Sequence, residues 1–180
     1  MLKIVHDFQE KGTDSVKLEC AITGTAISNS AATIKNSLNT YVSILGRTNE
    51  INVNKIILDK LEIICKNSNY LEDDVTEDLL KGLTTPSTEI KVKIIDIVMT
   101  SLSSKSSELI LKYLEKDTLT NAQEELVSKV LSLLELITYK FETVHPTAIT
   151  FIKQQILPLQ KLNTESVLAL TNTLKLISRK

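Results

Sequence analysis

Histidine, cysteine and glycine are scarce in this sequence, and each shortage argues against a class of chemistry. The two histidines, His6 and His145, have no nucleophile or carboxylate constellation beside them from which a catalytic group could form. There is neither a Cys-x-x-Cys nor a His-x-x-x-His spacing to suggest zinc, and none of the four glycines lies in a phosphate-binding loop. We therefore expect a protein that is not an enzyme and has no catalytic, metal-binding or cofactor-binding residues.

Long apolar runs and an excess of one charge are also missing. No run approaches the roughly 18 to 20 apolar residues that cross a bilayer, and the first residues lack the charged-then-apolar order of a signal peptide. The net charge of -1 argues against a general nucleic-acid-binding protein, because such domains concentrate basic residues to neutralise phosphates. We expect a soluble, cytoplasmic chain that binds neither nucleic acid nor a small-molecule substrate.

The composition is that of an ordinary globular protein. With 180 residues, of which 42% are apolar and 24% charged, the chain is long enough for one domain with a sizeable core. Cys20 and Cys65 each fall on the apolar side of a predicted helix, where a thiol behaves as a small hydrophobic group. A disulfide between them is not favoured in a reducing cytosolic setting.

What the sequence does contain is a repeated apolar stripe at helical spacing. In the stretch from Ile51 to Leu102, three helices are predicted, and Pro86 ends the second because proline cannot continue a helix. The apolar face of each must be buried. The predicted stripes are Val53, Ile57, Leu61, Ile64 and Cys65; then Leu71, Val75, Leu79 and Leu83; then Ile90, Ile94, Ile97, Val98 and Leu102.

Further helices are predicted on both sides of this stretch. Capping residues and breakers place them at Met1 to Glu10, Thr13 or Asp14 to Ser28, Ser30 to Leu45, Ser104 to Lys116, Asn121 through Phe141, His145 to Pro158, and Asn163 or Thr164 through Ile177. The helix opened by the Asn121–Glu124 capping box is predicted to be the longest. It is apolar around more than half its circumference, so we expect it to pack between layers.

Two of these helices carry specific expectations about their inward faces. In the helix from Thr13, the small residues Ala21, Gly24, Thr25 and Ala26 suggest a close approach by a neighbour, and Val16, Cys20, Ala21 and Ile27 are expected to point inward. In the last helix, the predicted inward residues are Val167, Leu168, Leu170, Leu174 and Ile177.

The helices form a repeat. The first helix of each pair is predicted near residues 14, 51, 88, 122 and 164, in steps of about 37, 37, 34 and 42 residues, close to the HEAT and armadillo range of roughly 40 to 47. No strand-like alternation persists. We predict an all-α fold, an α-solenoid of HEAT/armadillo-like antiparallel helix pairs. Residues 1–180 are interpreted as one segment of a longer trunk, with about four pairs and a terminal helix.

Two charged regions have two interpretations each. Glu72 to Asp78 holds five acids in seven residues at a predicted helix start, where the helix dipole stabilises negative charge; it is either a solvated turn, which we favour, or a contact patch for a basic partner. From Lys140 onward the cations outnumber Glu142 and Glu165, and they form either a solvated face, which we favour, or a lipid-headgroup contact. Those cations are Lys140, Lys153, Lys161, Lys175, Arg179 and Lys180.

Three segments stand out by their order and spacing. Lys17 to Tyr41 holds an alanine-rich helix, a Ser-rich turn and a second helix, Asn52 to Leu61 reads Asn-Val-Asn-Lys-Ile-Ile-Leu-Asp-Lys-Leu, and Asp78 to Lys93 begins Asp-Leu-Leu-Lys-Gly-Leu-Thr-Thr-Pro. Across residues 17 to 116 they resemble the coatomer β-subunit (β-COP) family, with its Ala-Ile-Lys helix, its Asn-Val-Lys-x-Ile-Val-Leu-Asp-Arg-Leu motif and the following Asp-Ile-Leu-x-x-Leu-Ser-x-Pro-Asp-x-Glu-Val-Arg-x-Lys run. The chain departs from the family at Arg47 to Ile51, and after Lys116 the similarity thins to helical pattern.

The resemblance implies a structural segment from the central trunk of the COPI vesicle coat, on the cytosolic face of Golgi and endoplasmic-reticulum membranes. The partners it implies are other coatomer subunits, the δ subunit first, and an Arf-type small GTPase. No binding residues carry over, because Asn52, Asp59, Lys60 and Pro86 match the family but suggest internal roles as a cap, a loop-to-helix bond and a turn. The alternatives are the related β-adaptin trunk of clathrin adaptors and a free-standing HEAT-repeat adaptor or chaperone cofactor that binds peptides in a groove.

Overall fold

The regular structure of the chain is helical wherever it is described. The computed structural model describes residues 2–48, 50–68, 73–115, 119, 122–159 and 162–178, without the side chains of residues 2, 3, 6 and 68, and these residues contain no strand. The α-helices in them are α1 Leu2–Lys11, α2 Asp14–Ile27, α3 Ala31–Leu45, α4 Ile51–Ser68, α5 Asp73–Lys81, α6 Thr88–Met99, α7 Ser104–Glu115, α8 Glu124–Lys140, α9 His145–Phe151 and α10 Thr164–Ser178. The predicted all-α class is confirmed.

The repeat predicted from the apolar stripes is present in the chain. The first helix of each pair begins at Asp14, Ile51, Thr88, Glu124 and Thr164, within two residues of the predicted starts. Short turns extend two of the helices: a 3₁₀ turn at Gly82–Thr84 follows α5, and α9 lies between a 3₁₀ turn at Glu142–Val144 and a π turn at Ile152–Ile156. Pro86 follows the first of these turns and Pro158 follows the last, as expected of a residue that lacks an amide donor.

Tertiary contacts divide the chain into two compact units, Met1–Leu79 and Leu80–Lys180. In the first unit α1 packs on α2, α2 on α3 and α3 on α4. Gln9 ties α1 to α3, since its Nε2 donates to the Asn36 carbonyl at 3.2 Å and to Thr40 Oγ1 at 2.8 Å. The most deeply buried large side chains include Leu38, Tyr41, Ile57, Leu58 and Leu61.

The small residues of α2 admit α3 at close range. The Ser37 hydroxyl donates to the Ala21 carbonyl at 3.2 Å, and a Cβ added to Gly24 would lie 3.4 Å from Thr33 Cγ2. Both Ala21 and Gly24 are buried, whereas Val16 and Ile27, which were expected to point inward, are 39% and 47% exposed. The inward face of α2 is therefore its small-residue face, because bulky side chains there would hold α3 away.

In the second unit, helices pack against the helix that lies two positions further along the chain. Helix α6 packs against α8 and α8 against α10, while α7 packs against α9. First helices of successive pairs thus form one layer and second helices another, which is a solenoid-like arrangement. An ion pair of 2.6 Å between Asp96 and Lys129 joins α6 to α8 at the surface.

Helix α8 is the centre of the second unit and lies within the layer of first helices. It contacts α6, α9 and α10, and its buried residues are Leu126, Val127, Val130, Leu131, Leu133, Leu134, Ile137 and Thr138. The prediction that it is the longest helix was wrong, because α8 has 17 residues and α4 has 18. Its N-cap is Gln123, which makes no side-chain cap bond, and Asn121 lies outside the described residues.

Helix α10 packs with the face that the sequence suggested was outward. Its buried residues are Ser166, Ala169 and Thr173, whereas Val167, Leu168 and Leu174 are 48%, 61% and 46% exposed. Small side chains allow α10 to lie close to α8, and Thr173 satisfies its hydroxyl by donating to the Ala169 carbonyl at 2.8 Å. The inward assignment of these three apolar residues was therefore wrong.

Candidate protein-interaction surface

The side chain of His145, a candidate for chemistry, has a structural role. His145 is the first residue of α9 and is 8% exposed, and its Nε2 lies 3.0 Å from the Thr138 carbonyl at the end of α8. Because a carbonyl oxygen only accepts, the imidazole N–H donates this bond and links the end of α8 to the start of α9. The side chain of His6 lies outside the described residues. In the described ranges no group of three or more His, Cys, Asp or Glu residues could hold a metal ion.

The two cysteines are free thiols in different surroundings. Cys65 is completely buried in α4, and this burial raises the pKa of its thiol to about 12. Cys20 on α2 is half-buried. Cys65 therefore serves the core as a small hydrophobic residue.

The acidic run lies at a helix start, as predicted. Asp73 and Asp74 occupy the first turn of α5, and Glu77 and Asp78 are exposed further along the same helix. Glu72 lies outside the described residues. The helix dipole accounts for this charge, so its use as a contact patch stays a prediction.

The basic residues of the C-terminal region are dispersed over several elements. Lys140 ends α8, Lys153 lies in the π turn and Lys175 lies on α10, and all three are exposed. Lys161, Arg179 and Lys180 lie outside the described residues. Contact with lipid headgroups stays a prediction.

An open groove of about 600 Å³ lies on the first unit, and we name it the α2–α4 groove. Its apolar lining comes from three helices: Ile22 and Ala26 of α2, Ile34 of α3, and Ile63 and Ile64 of α4. Its polar lining consists of Thr25, Asn29, Lys60 and Asn67. Ile63 is 55% exposed, so a bulky apolar side chain faces water at this groove.

A second groove, of about 530 Å³, lies on the second unit between α6, α8 and α10. Met99, Leu136 and Leu176 supply its apolar lining, and Tyr139 at its edge is 72% exposed. Glu135 and Asn172 are joined across it by a hydrogen bond of 2.9 Å from the Asn172 amide. Grooves with an apolar floor and a few polar groups are typical of sites that bind other molecules.

The residues that match the coatomer pattern have varied positions. Asn52 lies inside the first turn of α4 and not at its cap, because the helix begins at Ile51. The expected loop-to-helix bond is made by Asn54, whose Nδ2 donates to the Thr48 carbonyl at 3.4 Å. Asp59 is exposed on α4, and Pro86 lies in the turn before α6. Lys60, for which an internal role was expected, lines the α2–α4 groove.

Known proteins were compared with the chain by sequence and by structure. No protein-family model matches it, and no solved structure matches it. Several curated proteins do match, among them three coatomer β subunits: that of Toxoplasma gondii is 30% identical over 126 residues, subunit β-2 of Oryza sativa subsp. japonica 27% over 125, and that of Dictyostelium discoideum 28% over 116. The chain is related to the coatomer β subunits.

The relation to coatomer β subunits covers much of this chain but little of those proteins. The matches span 69%, 69% and 64% of the chain and only 11%, 13% and 13% of the three relatives, in the order given. In the described residues no helix is both long and apolar enough to cross a bilayer. Sequence reasoning found the coatomer β relation but missed both grooves, although Ile63, an isoleucine off the predicted stripe of α4, was a usable signal for the α2–α4 groove.

Proposed function

We propose that the chain is a structural scaffold segment of the COPI vesicle coat and acts in transport between the Golgi and the endoplasmic reticulum. The observation that carries the proposal is the 30% identity to a coatomer β subunit over 126 residues. The fold supports it, because helix pairs in layers present long surfaces to other proteins. Exposed large apolar residues such as Ile4, Phe8 and Leu168 are the kind of surface that protein partners cover.

The proposal includes the partners and the location of the assembly. The chain contributes one continuous HEAT-like trunk segment to a subunit that assembles with other coatomer subunits, of which the δ subunit is the first candidate. Recruitment by an Arf-type small GTPase in its GTP form brings this assembly to the cytosolic face of Golgi membranes. Membrane association is then peripheral and depends on the complex.

Purification of the native protein from its source organism tests this proposal. We expect a chromosomally tagged protein to bring down a defined set of coatomer subunits in near-equal amounts by quantitative mass spectrometry. Adding a GTP analogue to a membrane extract should increase the membrane-bound fraction, and a GDP analogue should not. A broad spectrum of unrelated client proteins, without coatomer subunits, would contradict the proposal and favour a free-standing adaptor.

A further inference from the structure

The α2–α4 groove has an apolar floor that the fold itself leaves uncovered. In α4 the completely buried apolar residues are Ile57, Leu58, Leu61 and Cys65, whereas Ile63 points away from them and is 55% exposed. Ile22 and Ala26 of α2 line the same groove. A volume of about 600 Å³ lies within the range of sites that enclose a ligand group. The groove therefore has room for bulky aliphatic side chains of a bound segment.

The charge of the groove has one sign. Lys60 lies one helical turn before Ile63 and Ile64 on α4, so its ammonium group is a neighbour of the apolar floor. Among the described residues that line the groove, none is an aspartate or a glutamate. A bound segment therefore gains from a carboxylate beside its apolar anchor and loses from a cation there.

The remaining polar groups suit a polypeptide. Asn29 and Asn67 are exposed, and each amide offers both a donor and an acceptor, which is the pair of groups that a peptide backbone presents. A membrane surface is a poorer fit, because anionic lipid binding needs several cations together and this groove supplies one. We propose that the α2–α4 groove binds a peptide segment of another protein in which bulky aliphatic side chains are flanked by carboxylates.

A charge-swap binding experiment on the 180-residue chain tests this inference. The probe is a fluorescein-labelled amphipathic peptide of roughly 14 residues with leucines at i, i+3, i+4 and i+7 and glutamates between them. A second peptide has lysines in place of the glutamates. By fluorescence anisotropy, we expect the chain to bind the acidic peptide at least about ten-fold more tightly than the basic one.

Variants of the groove make the prediction specific. Lys60→Glu should weaken binding of the acidic peptide by about ten-fold and strengthen binding of the basic peptide, because the sign of the groove is reversed. Ile63→Asp should abolish binding of both peptides, since it places a charge on the apolar floor. Far-UV circular dichroism and thermal unfolding show that each variant is folded, and the gain of basic-peptide binding by Lys60→Glu cannot arise from misfolding.

Two matched substitutions outside the groove serve as controls. Lys112→Glu makes the same charge change at an exposed position of α7, and Ile51→Asp makes the same apolar-to-acid change at a residue that is 52% exposed at the start of α4. Neither should alter either affinity.

Three results would overturn the inference. They are no binding of the acidic peptide, equal binding of both peptides, or an unchanged preference in Lys60→Glu. Self-association of the chain in sedimentation velocity, lost in Ile63→Asp while neither peptide binds, would instead identify the groove as a contact between two copies.

Discussion

Cys65 and Cys20 show how the reactivity of a thiol depends on its position in the fold. Burial raises the pKa of the Cys65 thiol to about 12, so at pH 8 only about one molecule in ten thousand carries its thiolate. With iodoacetamide at pH 8 we expect Cys20 to be alkylated and Cys65 to stay unmodified until the chain is unfolded. Peptide mass spectrometry after the reaction, in buffer and in guanidinium chloride, measures this difference. Equal modification of both in the folded chain would contradict the burial of Cys65.

The raised pKa of Cys65 also determines how the free energy of unfolding changes with pH. The folded state holds the thiol protonated, whereas the unfolded chain ionises it near its ordinary pKa of 9.0. The stability linked to this group is complete below that value and is lost as pH rises toward 12. Cys65→Ser should flatten the fall in unfolding free energy between about pH 9 and 11, measured by urea titration, although the buried hydroxyl lowers stability at every pH.

Two glycines of the first unit differ in what a methyl group would meet. A Cβ on Gly12 would lie 2.6 Å from the Phe8 carbonyl oxygen and 2.7 Å from Val16 Cγ1, so the backbone between α1 and α2 must shift. A Cβ on Gly46 would meet nothing nearer than the Val42 carbonyl at 3.6 Å, and the φ of Gly46 is an ordinary -72°. We expect Gly12→Ala to lower the unfolding free energy by about 1 to 3 kcal/mol, and Gly46→Ala to leave it unchanged or raise it by about 0.5 kcal/mol. Urea denaturation of the two variants measures both; similar effects would contradict the crowding at Gly12.

At the scale of a helix, the N-terminal caps differ in whether a side chain accepts a hydrogen bond from a backbone amide of the first turn. Asn163 Oδ1 accepts from the Ser166 amide at 2.7 Å and so closes the first turn of α10, whereas Thr13 at the start of α2 makes no side-chain cap bond. We expect Asn163→Ala to cost about 1 kcal/mol and Thr13→Ala to cost markedly less. Thermal unfolding of the two variants under identical conditions tests this difference, and equal costs would contradict the cap at Asn163.

The observed orientation of α10 predicts effects of substitutions on stability that are opposite to those expected from its apolar pattern. Ala169 is on the face of α10 that packs against α8 and is only 6% exposed, whereas the adjacent Leu168 is 61% exposed. Ala169→Leu should cost about 1 to 3 kcal/mol by overpacking, whereas Leu168→Ala should change stability by less than about 0.5 kcal/mol. Chemical denaturation of the two variants distinguishes the faces. A larger loss of unfolding free energy in Leu168→Ala than in Ala169→Leu would contradict this orientation of α10.

At the scale of the whole molecule, each of the two units leaves bulky apolar side chains at its surface. Ile4, Phe8 and Ile63 in the first unit, and Tyr139 and Leu168 in the second, are more than half exposed. Such surfaces agree with the proposed role as a scaffold, because protein partners typically cover exposed apolar side chains. The matched part of the chain covers 11% to 13% of the length of the three coatomer β relatives.

The sequence by itself determined the helices, their starts and the repeat. Caps such as Ser30, whose Oγ accepts from the Thr33 amide at 3.3 Å, and breakers such as Pro86 act within a few residues, so their effect can be predicted from nearby sequence. The tertiary structure alone decided which face of α2 and α10 is buried, and it alone placed Lys60 beside Ile22 and Ile63 in one groove. The physical reason is that a helix with apolar residues on two faces can bury either, and the choice depends on how closely neighbours from distant parts of the chain can approach.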